Sequence, residues 1–142
     1  MKRNARAYFS AAAVLGLCFV GPTALAAGLL SQAQQHVVDA QIAELRTSED
    51  RALASEWSDA KKVAEFICRP LALSELKKWN KDADRVFLGT DDPNTLDLAT
   101  NRLLTGSGQV RTGNDWTTFT FECELDADSG TALSFRANFT SQ

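Results

Sequence analysis

The feature that most restricts the fold is a pair of alternating runs near the C-terminus. Phe119, Phe121, Cys123 and Leu125 share one parity, and Thr118, Thr120, Glu122 and Glu124 share the other. Successive side chains of a strand point to opposite faces, so residues 116–125 predict a strand with one buried and one wet side. Leu133, Phe135, Ala137 and Phe139 repeat the pattern against Ser134, Arg136, Asn138 and Thr140. Asp126 to Thr131 reads as the turn between them, and two such runs across a short Gly-containing loop predict a β-hairpin. A hairpin with one apolar face needs something packed against it.

The first half of the chain supplies helices for that purpose. No Pro or Gly occurs from Gln34 to Ile67. Val38, Ile42, Leu45, Leu53, Trp57, Ala60, Ala64 and Ile67 recur at helical spacing and predict one apolar face. Thr47-Ser48-Glu49-Asp50 looks like a break and a fresh N-cap, so the stretch is one long helix or two. Residues 31–50 are thinly apolar, as in a frayed arm or a segment that pairs with a partner helix. Pro70 disfavours helix at Arg69, which predicts an end there and a second helix to about Trp79. Arg85 to Leu88 is a short strand candidate. Residues 94–102 fit helix or strand. Leu103 to Val110 favours strand, with Gly106 and Gly108 marking a bulge.

The compartment follows from the other end. Lys2, Arg3 and Arg6 precede an apolar run from Ala11 to Gly21, then Pro22 and Ala24-Leu25-Ala26. That is the three-part pattern of a secretory signal over residues 1–26, with cleavage near Ala26. The run is shorter than the ~20 residues of a membrane span. Cys18 lies inside it behind Leu17, where a lipoprotein would need a small residue. The leader holds three of the 15 Lys+Arg and none of the 18 Asp+Glu, so the rest of the chain carries 12 against 18, a net charge of −6. An acidic domain repels phosphate backbones, which argues against nucleic acid as a partner. Cleavage also leaves Cys68 and Cys123 as the two cysteines, and an oxidising compartment predicts that they pair. Since Cys123 lies on the apolar parity, the helix carrying Cys68 should pack on that face.

Candidate chemistry is sparse. His36, the one histidine, falls in the polar arm and reads as solvated. Ser74-Glu75-Leu76-Lys77 has the S-x-x-K spacing of serine acyl-enzymes but lacks its companion motifs and reads as helix surface. Asp126-Ala127-Asp128-Ser129-Gly130 resembles the start of a calcium loop. Gly130 stands where a ligand is needed and Ala137 where a closing Glu is needed, so a turn is expected. Asn138-Phe139-Thr140 is a glycosylation sequon, relevant only in a eukaryotic host. Glu122 and Glu124 share the polar face with Arg136, which suits an ion pair, and paired carboxylates can do acid–base work. Trp57 and Trp79 read as core. Trp116 either caps the core or joins a surface site. No cofactor and no metal site is expected.

Several stretches resemble the bacterial exported family called domain of unknown function 930, from about residue 62 to the end. They are the cysteine at a helix boundary, Leu71-Ala72-Leu73-Ser74-Glu75-Leu76, Ala83-Asp84-Arg85-Val86, Gly106-Ser107-Gly108-Gln109-Val110-Arg111, and Trp116-x-x-Phe119-x-Phe121-x-Cys123 with a last strand through Phe135. The resemblance implies a bacterial cell envelope and brings no activity with it.

The expectation is an α+β fold. N-terminal helix or helices lead into an antiparallel sheet of roughly three or four strands, one face covered by helix, with one disulfide. The expected organisation is a signal peptide at 1–26, a polar helical arm at 27–55 and the α+β domain at 56–142. The expected function is a periplasmic or secreted, non-enzymatic binding module acting on an envelope component or a protein, with Trp116, Glu122, Glu124 and Arg136 as the candidate binding face. A small carboxylate-based hydrolase and a helical, self-associating tether are the alternatives.

Overall fold

A computed structural model describes residues 28–90 and 92–139. The predicted leader and Thr140 of the sequon lie outside them. Helices come first and an antiparallel sheet follows, as expected.

Helix α1 (Gln32–Ala43) starts at a capping box. Ser31 Oγ accepts from the Gln34 backbone N–H at 3.1 Å, and Gln34 Oε1 accepts from the Ser31 N–H at 3.0 Å. The same two side chains reach the sheet. Ser31 Oγ donates to the Ala127 carbonyl and Gln34 Nε2 to the Asn101 carbonyl, both at 2.6 Å. The two carbonyls belong to two turns at one end of the sheet, so the helix start is tied to both. Gly130, at φ +74°, allows the approach, because a Cβ there would lie 2.8 Å from the Ala33 carbonyl oxygen. Residues 27–55, read as a polar arm, thus supply a helix that places Val38 and Ile42 in the common core.

The expected break comes at Thr47, whose Oγ1 caps α2 (Ser48–Ser55) by accepting from the Asp50 N–H. A second break is not evident from the apolar spacing. Ser58 caps α3 (Asp59–Val63), so the helical stretch is three segments rather than one or two. The stop predicted at Arg69 does not occur. A π-helical turn, Ala64–Cys68, runs straight into α4 (Arg69–Trp79). In that wider turn the Arg69 N–H donates to the Ala64 carbonyl, five residues back. Pro70 then sits at the start of α4, where its missing N–H costs least.

The sheet is four strands wide. β3 (Leu103–Thr112) and β4 (Asp115–Asp126) are central, and β5 (Thr131–Asn138) lies at one edge. β1 (Ala83–Leu88) and β2 (Leu96–Thr100) share the other edge end to end. β1 pairs with residues 108–112 of β3 and β2 with residues 103–106. The ambiguous stretch resolves into a 3-10 turn, Pro93–Thr95, followed by β2.

The bulge expected at Gly106 and Gly108 is absent. β3 pairs with β4 without a register shift from Leu103 to Thr112. The glycines instead make room for aromatic rings on the inner face, where Gly108 is opposite Phe119 and Gly106 opposite Phe121. A Cβ on Gly108 would lie 2.7 Å from Phe119 Cζ and 2.7 Å from the Phe87 carbonyl oxygen. Glycine under a cross-strand ring is a known sheet device.

The inner face of β4 is the core's densest part, with Phe119, Phe121, Cys123 and Leu125 all at most 2 % exposed. α4 contacts both β1 and β5 and so crosses this face from one edge to the other. Cys68 and Cys123 form the predicted disulfide, with Cα atoms 6.2 Å apart. Both are fully buried, and the bridge ties the π-helical turn to the middle of β4. Trp79, expected in the core, is 50 % exposed. It lies at the last turn of α4 and stacks on Phe139, centroids 4.1 Å apart, beyond the end of β5. Helical spacing alone does not show that α4 has reached the rim of the sheet by then.

Candidate functional site

The outer face of the sheet carries the residues singled out from the sequence, in two groups. At one end Arg136 of β5 bonds Glu122 at 2.9 Å and Glu124 at 3.2 Å, and Ser134 Oγ donates to Glu124 at 2.8 Å. The Arg136 guanidinium is held all the more firmly charged by its bond to Glu122 and the charge of Glu124. All three charged side chains are about half exposed, so the cluster adds little to stability. Trp116 is six positions along β4 from Glu122, roughly 20 Å away at strand spacing, and does not join them.

Trp116 has its own group. It is 43 % exposed and stacks on the exposed Phe87 of β1, centroids 5.3 Å apart. Arg111, opposite Trp116 on β3, lies over its ring and grips Asp84 through two bonds of 2.9 and 2.6 Å. That hydrogen bonding, helped by the charges of Arg111 and Arg85, holds the Asp84 carboxyl below the usual carboxylate range. Trp116 is therefore a surface residue rather than a cap on the core.

A separate recess lies elsewhere. A cleft of about 560 Å³ opens between α1, the α3–α4 helical run and the β1 edge. The size lies within the ~300–1,000 Å³ of small-molecule sites. Trp57, at the break between α2 and α3, and Phe66, in the π-helical turn, stack 5.8 Å apart and line it. Glu65, directly before Phe66, lines it too. Its side chain, only 10 % exposed, takes Lys61 on one oxygen at 2.7 Å and Arg69 on the other at 2.6 Å. Lys61 also lies over the Trp57 ring at 5.8 Å. From the sheet side come Asp84, Arg85 and Val86. Asp84 is occupied by Arg111, and Arg85 makes no hydrogen bond or ion pair among the described residues. A second recess of about 310 Å³ shares Trp57 and is lined by Lys61, Thr90, Asp92, Pro93 and Leu96.

The other sequence candidates fall as follows. His36 is exposed on α1. Ser74 and Lys77 are exposed on α4, as a helix surface requires. Asp126 accepts from the Asp128 N–H and from Ser129 Oγ, which stabilises the predicted turn and, chiefly through Ser129, keeps its carboxyl acidic. Among the described residues no group of His, Cys, Asp and Glu is placed to hold a metal ion, and no helix is long and apolar enough to cross a membrane.

Sequence reasoning singled out none of Phe66, Arg69 and Arg85 as site residues, and took Trp57 for core. The one available signal was Phe66 itself, a large aromatic one position off the apolar stripe that ends at Ile67. No protein-family model, curated protein or solved structure matches the chain.

Proposed function

We propose that this protein is a small exported, non-enzymatic binding module of the cell envelope, and that it holds its ligand in the cleft beside β1. The observation that carries this reading is the cleft's construction. Trp57 and Phe66 stack in its wall, its two carboxylates are already paired, Glu65 with Lys61 and Arg69 and Asp84 with Arg111, and the exposed Arg85 lines the same recess without a side-chain partner among the described residues. Charged groups arranged around an aromatic wall suit recognition. The leader-like N-terminus and the resemblance to the domain-of-unknown-function-930 family support the envelope as the place of action.

The carboxylates offered for a hydrolase are less suited to that work. Glu122 and Glu124 are solvated, tied to the same arginine, and on the opposite face of the sheet from the core. The stacked Phe87–Trp116 pair supports a second contact, with a protein partner on the outer face.

The test sets ligand binding against turnover. Thermal-shift screening of envelope saccharides, peptides and small anions should find ligands that raise the melting temperature. Arg85→Ala should abolish the shift, with no substrate consumed. Turnover of any of these compounds that disappears in the Glu122→Gln, Glu124→Gln double variant would replace this reading with the hydrolase.

A further inference from the structure

We infer that the open edge of β5 docks a second copy of this chain, the two β5 strands pairing antiparallel about a two-fold axis. The surface lies apart from the cleft and stands whether or not the cleft binds a ligand. The sheet has two edges. One is broken between β1 and β2, with Pro93 in the gap and register shifts on both sides of it. The other is the single strand β5. Among the described residues, no backbone group of β5 bonds to anything but β4. The donors and acceptors on its far side must therefore meet water or a further strand. β5 holds no proline and one charged residue, Arg136, so little in it bars pairing.

The strand's fit to itself identifies the occupant. The register shift against β4 leaves Leu133 as the extra residue, between Ala132 opposite Leu125 and Ser134 opposite Glu124. At 64 % it is the most exposed large apolar side chain among the described residues. It shares the parity of Phe135 and Ala137, the side turned to the helices. Further along that side a recess of about 200 Å³ opens between α4 and β5, lined by Glu75, Leu76, Trp79, Phe135, Ala137 and Phe139. This is below the ~300–1,000 Å³ of small-molecule sites and suits one apolar side chain. A two-fold axis at Phe135 reverses the incoming strand. It sets each Leu133 opposite Ala137 of the second copy, at the mouth of that copy's recess. Both contacts form at once, as an isologous interface requires.

Charge selects the same register. An axis at Arg136 would set that residue against its own copy, with like charges directly opposed. An axis at Phe135 sets Arg136 opposite Ser134 of the second copy, whose hydroxyl is bonded to Glu124. Glu122 and Glu124 outnumber the one Arg136 in each cluster, so the incoming guanidinium meets carboxylate in excess. A register one residue off would turn outer side chains inward. A strand pair with two seated leucines is a small interface, which makes the dimer a weak one.

Sedimentation equilibrium of the protein, purified from a secreting host, tests this. The mass should rise to that of two chains with a dissociation constant at or below about 100 µM. Leu133→Asp, at an exposed position, should keep the melting temperature of the monomer and raise that constant at least about tenfold. Leu53→Asp, on the exposed side of α2, should leave it unchanged. Ser134→Cys and Arg136→Cys proteins, mixed under mild oxidation, should cross-link to each other, because directly opposed Cα atoms at ~4.5–5.5 Å suit a disulfide. A monomer at every loading, a dimer indifferent to Leu133→Asp, or a dimer broken by Leu53→Asp overturns the inference. So does a failure of the two cysteine variants to cross-link under conditions where the parent chain is dimeric. None of these results bears on ligand binding in the cleft, which Arg85→Ala tests separately.

Discussion

The two faces of β4 differ as much as two parts of a small domain can. On the inner face Phe119, Phe121, Cys123 and Leu125 are shut away from water under α4 and the π-helical turn. On the outer face Trp116, Glu122 and Glu124 stand half exposed among groups that find partners only on the surface. The strand carries both sets in strict alternation, so stability and surface chemistry are assigned by parity alone. The inner positions should not tolerate change, and the outer ones should be nearly free of consequence for folding.

The most severe way to break that contrast is on the inner side. Phe119→Ala should cost about 4 kcal/mol, since Phe119 touches the rings of Phe121, Phe135 and Phe139 and its cavity would be hard to close. Urea denaturation would measure it. A loss below ~1 kcal/mol would mean that the helices collapse onto the sheet more readily than their packing suggests. Removing the Cys68–Cys123 bridge, with both positions changed to Ala, should cost up to about 4 kcal/mol for a sequence separation of 55. Comparing the melting temperatures of the double variant and the parent protein measures it, and mild reductant should leave the parent's unchanged, because the bridge is buried. Gly108→Ala should cost roughly 1–3 kcal/mol by overpacking, as the new methyl meets Phe119 and the Phe87 backbone.

The outer face should respond weakly. Arg136→Ala should change stability by no more than ~0.5 kcal/mol, although it frees two carboxylates at once. A larger loss would show that the pair is part of the core's support. The smallest effect is a pH dependence at Asp84. Its folded carboxyl is held more acidic than in the unfolded chain, so it stabilises the fold at any pH above the usual Asp value of ~3.9. That contribution is lost only as pH falls through the lower folded value. Stability should therefore show no Asp84 step between pH 7 and 5. An NMR titration should find the Asp84 midpoint below the ordinary one, and Arg111→Ala should move it up.

The same contrast separates what was legible in the sequence from what was not. The period-two runs identify β4 and β5, and the compartment predicts the disulfide. Both signals are local or need only counting. The Thr47 cap is likewise local. Pro70 misleads because the π-helical turn before it runs on into α4, and no local signal announces such a turn. Gly106 and Gly108 mislead because a glycine serving a ring on the next strand looks the same in sequence as one serving a bulge. Gln34 is polar in sequence yet fully buried, because its amide is satisfied by Ser31 and by Asn101, 67 residues away. The cleft was the least legible part. Trp57, Phe66, Arg69 and Arg85 come from a helix break, a π-helical turn, a helix start and an edge strand, and no spacing rule connects these.

The end-to-end arrangement of β1 and β2 has a consequence for how such a protein can change. Both halves take their register from β3, so the chain between Leu88 and Leu96 is a detour in a single edge. Its two ends are pinned together, with Gly89 close against Leu96 and bonded to Ser107 of β3. Lengthening the detour would cost only loop entropy, about 0.6 kcal/mol for each doubling. Yet the detour lines the recess that shares Trp57 with the cleft. Ligand preference could thus be rewritten in this one excursion while every strand of the sheet keeps its partner.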